Sequence, residues 1–344
     1  MTQDRMSPKE RIGAFLSGGT LDRFPCVPLI LNHAARIAGV KIGEHNRNGR
    51  LMGECHVAAY RRYGQDLITI FSDTAVIAEA MGTELYYPAD DVPRVERPAV
   101  TDPNDRGRLI RPAPDDAGLG VYLEAIRTAV AAVGDEVAVT CCFAAPFTTA
   151  AGLRGTDQLA RDLYRNRDLA HDLLKLSLEV CKDFTDAVVD AGGIPVIVDP
   201  VATGSVLGER QFREFALPYL QELHAHISRR GLPVVLHICG QTSRILDAML
   251  EAGAALLSLD DISMGEARDR AAERVALMGN VRPAQTLLQG TPEDVLREVR
   301  ELCAIGRECR RGFILGSGCE VPIESPVENV EAMMAGVREY GRFD

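Results

Sequence analysis

The sequence predicts an α/β chain folded as a (β/α)8 TIM barrel with an N-terminal helical extension. Three observations predict it. Eight short apolar stretches recur along the chain, most of them bounded by Gly, Pro or Asp. Most are followed by a segment of helical periodicity, and strand–helix alternation at this length builds a parallel sheet. With 344 residues, 46% hydrophobic and 25% charged, the chain can fill one large barrel core. A doubly wound open sheet is the alternative, but no glycine-rich nucleotide turn follows the first strand.

The elements follow in order. Ser7 as N-cap and Pro8 in the first position open a helix that stops at Gly18-Gly19. Residues 25–31 form the first apolar strand. Residues 49–63 are helical and end at Gly64. Residues 66–71 form the second strand, closing on Ser72-Asp73. Residues 82–118 carry Pro88, Pro93, Pro98, Pro103, Pro112 and Pro114 among many charges. They read as an irregular surface excursion with a small hairpin at residues 84–87, and a loop so long is a lid, a binding loop or an insertion.

Regular structure resumes with a helix at residues 119–133 and a strand at 136–143. Residues 156–191 hold one or two helices ending at Gly192-Gly193, before a strand at 194–198 that leads into Asp199. A helix at 209–230 precedes the fifth strand, Val234-Val235-Leu236, which runs into His237-Ile238-Cys239-Gly240. A helix at 243–251 and a strand at 255–259 follow, leading to Asp260-Asp261. Next come a helix at 264–272 and a strand at 275–278 that ends in Gly279-Asn280. A helix at 292–309 and a strand at 312–315 lead to a turn, Gly316-Ser317-Gly318-Cys319, before the closing helix at 326–340. No repeat or low-complexity linker interrupts the chain. Residues 1–344 therefore read as one domain, with residues 1–24 as the extension.

A net charge of −11 argues against nucleic-acid or membrane-surface partners. No run of eighteen apolar residues occurs, and residues 1–9 lack an apolar signal core, so the chain reads as soluble and cytoplasmic. Nine scattered cysteines, an odd number, favour reduced thiols, some of them available as metal ligands.

Side chains i and i+2 on a strand share a face, so His237 and Cys239 point the same way. A catalytic zinc site needs three protein ligands and one open position, and this pair supplies two. A lone His-x-Cys pair also describes a buried core histidine beside a small apolar cysteine. Barrel active sites lie at the carboxyl ends of the strands. Those ends carry Asp73, Asp199, Asp260, Asp261, Asn280 and Cys319. Closing the barrel brings the last strand to the same rim as the fifth and sixth, which makes Cys319 the natural third ligand. Its flanking glycines let the backbone crowd an ion, and thiolate-rich ligation selects zinc. Asp260 or Asp261 is placed to occupy the fourth position until a substrate displaces it. Asp73 and Asp199 are candidate catalytic acids, or caps of the helices that follow. Asn280 is a candidate cofactor contact. The adjacent pair Cys141-Cys142 straddles a strand and reads as core packing. His33, His56, His224 and His226 read as structural.

Four segments resemble the uroporphyrinogen decarboxylase superfamily: Ile70-Phe71-Ser72-Asp73, Ala145-Pro146-Phe147-Thr148, residues 199–220 and residues 315–333. The likeness covers nearly the whole chain and implies the same barrel. The superfamily has a metal-free decarboxylase branch and a zinc-dependent, corrinoid-linked methyltransferase branch. The decarboxylase pattern is depleted here. Its Arg-rich segment falls on Asn32–Gly39 and keeps one arginine, its tyrosine falls at about Gly152, its late histidine falls near Cys319, and Asp73 alone persists. A polycarboxylate substrate needs several cations. The methyltransferase pattern is matched by His237, Cys239 and Cys319, by Asp199-Pro200 with Ala202-Thr203, and by the segment from Pro326 to Asn329. That branch implies zinc, methyl transfer between a corrinoid (cobalamin) and a thiol or methylated small molecule, and a homodimer. The chain has no D-x-H-x-x-G corrinoid signature, so the corrinoid is expected on a separate carrier protein. A cofactor-independent decarboxylase-type lyase is the other reading.

Overall fold

The eight apolar stretches form one parallel sheet in a computed structural model that describes residues 4–343. We number the strands β1 (Cys26–Leu29), β2 (Leu67–Ile70), β3 (Glu84–Tyr86), β4 (Arg94–Arg97), β5 (Ala138–Ala144), β6 (Ile194–Val198), β7 (Val235–Gln241), β8 (Leu256–Asp261), β9 (Ala276–Val281) and β10 (Phe313–Glu320). The barrel order is β1-β10-β9-β8-β7-β6-β5-β2, with β3 and β4 as a separate antiparallel hairpin. Between β1 and β2 no ladder forms. There the seam is closed by Asp66, whose N–H donates to the Cys26 carbonyl at 2.9 Å and whose carboxylate accepts from the Cys26 N–H at 2.6 Å. This is a (β/α)8 barrel, as the alternation of strand and helix predicts.

Alternate strand residues fill the barrel interior. Val27, Leu29, Cys142, Val198, Leu256, Met278 and Ile314 pack there, while Cys141 faces the outer, helix-covered core. The first helix, Pro8–Ser17, has the expected Ser7 N-cap, completed by Glu10 into a capping box, and lies under the amino-terminal end of the barrel. Ile12, Phe15 and Leu16 floor a mostly apolar cavity of about 100 Å³ that reaches up to His237. The extension is tied down by a buried ion network. Arg11 and Arg23 both pair with Asp66, Arg11 also with Asp22, and Arg23 with Asp4.

Several expectations need correction. The strands run further than their apolar cores. His237 and Cys239 lie within β7, and Gly-Ser-Gly-Cys is the second half of β10 rather than a turn after it. The reason is that ladder hydrogen bonding needs only backbone. Gly316 pairs with Asn280, Ser317 with Val281, and Gln241 with Asp261, whatever their side chains. The helix expected at 209–230 is broken by a π-turn at Phe212–Ala216, just before Pro218, which has no N–H to donate. Short helices at His33–Ala38, Ile42–His45, Val76–Ala80 and Pro146–Arg154 were not expected. The excursion holds the β3–β4 hairpin and a 3-10 turn at Pro103–Arg108, and Arg154 anchors it by donating to the carbonyls of Val100 and Thr101. Among the described residues no helix is long and apolar enough to cross a membrane.

Candidate metal centre at the barrel mouth

Adjacent parallel strands carry their carboxyl ends to one rim, and this is what assembles the site. Strand β7 presents His237 and Cys239 on one face, and β10 presents Cys319 from across β8 and β9. His237 Nε2 lies 2.9 Å from Cys239 Sγ, which lies 3.1 Å from Cys319 Sγ. The three ligand atoms all fall within 4.8 Å of one another, and both thiols are free. Tetrahedral zinc with ~2.3 Å Zn–S and ~2.0 Å Zn–N bonds holds its ligands roughly 3.5–3.8 Å apart. An opening of a few tenths of an ångström per side chain thus suits the trio to one ion. The donor set, one imidazole and two sulfurs, is a zinc set.

The histidine is oriented from behind. Its Nδ1 lies 3.0 Å from the Ser258 hydroxyl, in register across the β7–β8 pair. With Nδ1 engaged there, Nε2 is left to face the sulfurs. Between the thiols, either of which can donate in their contact, Cys319 is held low by its contacts with Cys239 and His237. Cys239 is pushed up in turn by that same contact and by burial.

The two aspartates after β8 separate clearly. Asp260 is half-buried, accepts from the Gly240 N–H at 2.8 Å, and is raised above the usual carboxylate range chiefly by burial. Gly318 lies against it, so close that a Cβ there would come within 2.7 Å of Asp260 Oδ1. Asp261 is exposed and bound to the Gln241 side chain. Asp260 is therefore the one placed beside Cys319. Both amide hydrogens of Asn280 go to backbone, to the carbonyls of Asp260 at 2.9 Å and Ile262 at 2.7 Å, so its amide braces the end of β8. An open cleft of about 800 Å³ meets the site here, lined by Gly240, Asp260, Asn280, Arg282 and Cys319 among others.

Other acids stand further round the mouth. Asp73 is buried and raised to about 6 by burial; it accepts from the Ser72 hydroxyl and the Ala75 N–H, each at 2.7 Å. The latter bond places it at the start of the helix Val76–Ala80. Asp199 is fully buried and raised to about 7 for the same reason. Its Oδ1 accepts from the Thr148 N–H at 2.9 Å and hydroxyl at 2.6 Å, while its Oδ2 has no partner.

Sequence reasoning missed Glu320, Asn32 and Ser258. Burial raises Glu320 to about 7, and its Oε1 accepts from both the backbone N–H and the side-chain amide of Asn32 at 3.0 Å. Asn32 also donates to the Ser72 carbonyl at 2.8 Å, which ties the end of β10 to the turn before Asp73. The signal for Glu320 was its place directly after Cys319. Ser258 could have been found by aligning β8 with β7. Asn32 had no such signal. His33 proves structural, with its ring nitrogens held by the Ile323 carbonyl and the Tyr63 hydroxyl.

A barrel with a His-Cys-Cys cluster and buried acids at its carboxyl rim defines an enzyme of the TIM-barrel class. Residues 7–340 match the model of the uroporphyrinogen decarboxylase (URO-D) family, and the chain belongs to that family. It is 27% identical over 344 residues to the methylcobamide:CoM methyltransferase MtaA of Methanosarcina barkeri, covering 96% of this chain and 98% of that one. It is 26% identical to the methylated-thiol–coenzyme M methyltransferase of Methanosarcina mazei, covering 97% and 90%. A uroporphyrinogen decarboxylase of Shewanella pealeana is 31% identical over 284 residues, covering 79% and 78%. Among solved structures, a methyltransferase from Methanosarcina mazei is similar with a TM-score of 0.89 at 26% identity, covering 98% and 99%. Relatives of both kinds are enzymes, and so is this chain.

Proposed function

We propose that the protein is a zinc-dependent methyltransferase that moves a methyl group between a corrinoid and a thiol or methylated small molecule. The observation that carries this reading is the convergence of His237 Nε2, Cys239 Sγ and Cys319 Sγ within 4.8 Å at the barrel mouth. The full-length likeness to corrinoid-linked methyltransferases supports it. His237, Cys239 and Cys319 would hold the ion, with Asp260 as the carboxylate a substrate displaces. Zinc would supply Lewis-acid stabilisation of a thiolate at neutral pH, where a free thiol with pKa near ~8.5 stays mostly protonated.

This chain's own residues do the rest. Ser258 holds the imidazole in one orientation, and Asn280 fixes the backbone that carries Asp260. Apolar side chains below the site keep water from its inner face. A bound methyl-corrinoid would supply a methyl carbon whose bond to cobalt breaks with the electron pair staying on cobalt, while the acceptor thiol would give its proton to solvent and its sulfur would take the methyl group. Asp73 and Asp199 are proposed to serve the reaction from the mouth. The methyl-corrinoid would arrive on a carrier protein docked at the carboxyl-end rim. We place the protein in the cytoplasm.

A decarboxylase-type lyase is favoured by the persistence of Asp73 and by uroporphyrinogen decarboxylase relatives up to 31% identical. Arg36, the single arginine kept in the segment after β1, pairs at the surface with Glu324, and one cation does not match a polycarboxylate substrate. Zinc-loaded protein given methylcobalamin and a simple thiol should release cob(I)alamin, seen by its visible absorbance. Porphyrinogen decarboxylation by metal-free protein, without methyl transfer, would replace this reading with the other.

A further inference from the structure

We infer that the barrel interior beneath the proposed metal ligands is a second binding site, for a small uncharged apolar molecule. The site is independent of the methyl-transfer reading. All eight barrel strands contribute side chains to the cavity of about 100 Å³, which places it on the barrel axis. His237, Ser258 and Met278 lie in one register row across β7, β8 and β9 and form its roof. Val27, Val196 and Leu256 wall it, and Phe15 and Leu16 close it from below. No residue that lines it also lines the open cleft at the mouth, so a guest here leaves the mouth free.

The lining offers water little to bond. The Thr140 hydroxyl lies 3.0 Å from both the Ile68 carbonyl and the Thr69 hydroxyl, and His237 Nδ1 lies 3.0 Å from the Ser258 hydroxyl. Among the described residues, no buried side-chain nitrogen or oxygen left without a partner belongs to the lining. A buried water needs about two to four polar partners, so the fitting occupant is apolar. Such a guest restores the dispersion contacts that a void denies its lining. An apolar cavity of about 150 Å³ takes benzene or xenon. In proportion, about 100 Å³ admits a guest of roughly four heavy atoms, a short hydrocarbon or an apolar gas. The way in is through the floor, because Leu16 is half-exposed while it lines the cavity. Phe15 beside it is tightly seated, since a Cβ on Gly312 would come within 2.7 Å of its ring.

Xenon is the probe. Xenon-pressurised crystals of the full chain should show xenon between Val27, Val196 and Leu256. In solution the xenon NMR resonance should shift saturably with the zinc-loaded full chain. Val27→Phe and Val196→Phe fill the cavity from two different strands. Each should weaken xenon binding by at least about tenfold, because the ring takes the guest's place against the lining, and should keep the wild-type circular dichroism spectrum. Xenon found only elsewhere, an ordered water in the cavity, no saturable shift, or undiminished binding in a variant that folds would each overturn the inference. Where neither variant folds, the position of xenon in wild-type crystals decides. None of these readouts needs turnover, so a failure of methyl transfer leaves them standing, and an absence of xenon leaves the methyl-transfer reading untouched.

Discussion

His237 shows how one side chain can be committed to a site by its neighbours. Its Nδ1 is held by Ser258, so Nε2 is free to act as a ligand. Ser258→Ala should lower zinc affinity by about tenfold without unfolding the protein, as loss of an outer hydrogen bond to a ligating histidine does. Competition with a chromophoric chelator reads this directly; an unchanged affinity would reduce Ser258 to packing. Asp199 carries a pH signature. Its folded pKa of about 7 lies above the ordinary carboxylate value near 3.8, so between these pH values the folded state binds the extra proton. Stability from this group is present at low pH and is lost as pH rises through about 7. Asp199→Asn should therefore stabilise the fold above pH 7, by up to about 4 kcal/mol, read as a higher melting temperature there, and leave it little changed near pH 4. An equal effect at both pH values would contradict the burial argument. At this scale the convergence of three side chains was legible, because i, i+2 spacing and strand ends suffice to bring His237, Cys239 and Cys319 to one rim. Glu320 and Asn32 were not, because their meaning lies in a contact between β10 and the loop after β1, 288 residues apart in sequence.

The strands and helices show which signals a sequence transmits. Apolar strand cores announced themselves, but the polar, glycine-rich continuations of β7 through β10 did not, although they carry the site. The helix Pro146–Arg154 was missed because almost all its residues are buried, leaving no polar face to mark a 3.6-residue period. Gly318 matters through proximity. A methyl group there would press on Asp260 Oδ1 at 2.7 Å, with the Asp260 Cα at 3.4 Å. Gly318→Ala should displace Asp260 from the Gly240 N–H, cost roughly 1 kcal/mol of stability and lower methyl-transfer kcat/KM by about tenfold. Wild-type kinetics in that variant would show that the position of Asp260 is immaterial.

Across the whole molecule, the barrel closes through charge as well as hydrophobic burial. Asp66 bridges the β1–β2 seam and gathers Arg11 and Arg23, so the extension and the seam share one carboxylate. In the sequence these charges look like ordinary surface residues, and nothing local marks them as buried. Asp66→Ala removes the carboxylate that the two buried guanidinium groups share, leaving Arg11 with Asp22 and Arg23 with the part-exposed Asp4, and should cost about 3 kcal/mol, measured by chemical denaturation; a loss below about 1 kcal/mol would show the network to be solvated. The central claim, that strands distant in sequence converge to hold one ion, is tested most directly by counting metal. Elemental analysis of protein purified in zinc-containing medium should find about one zinc per chain, as one tetrahedral site requires, and close to none in Cys239→Ala and Cys319→Ala variants that keep the wild-type circular dichroism spectrum. Zinc retained at the same level in both folded variants, or absent from the wild type, would contradict the account.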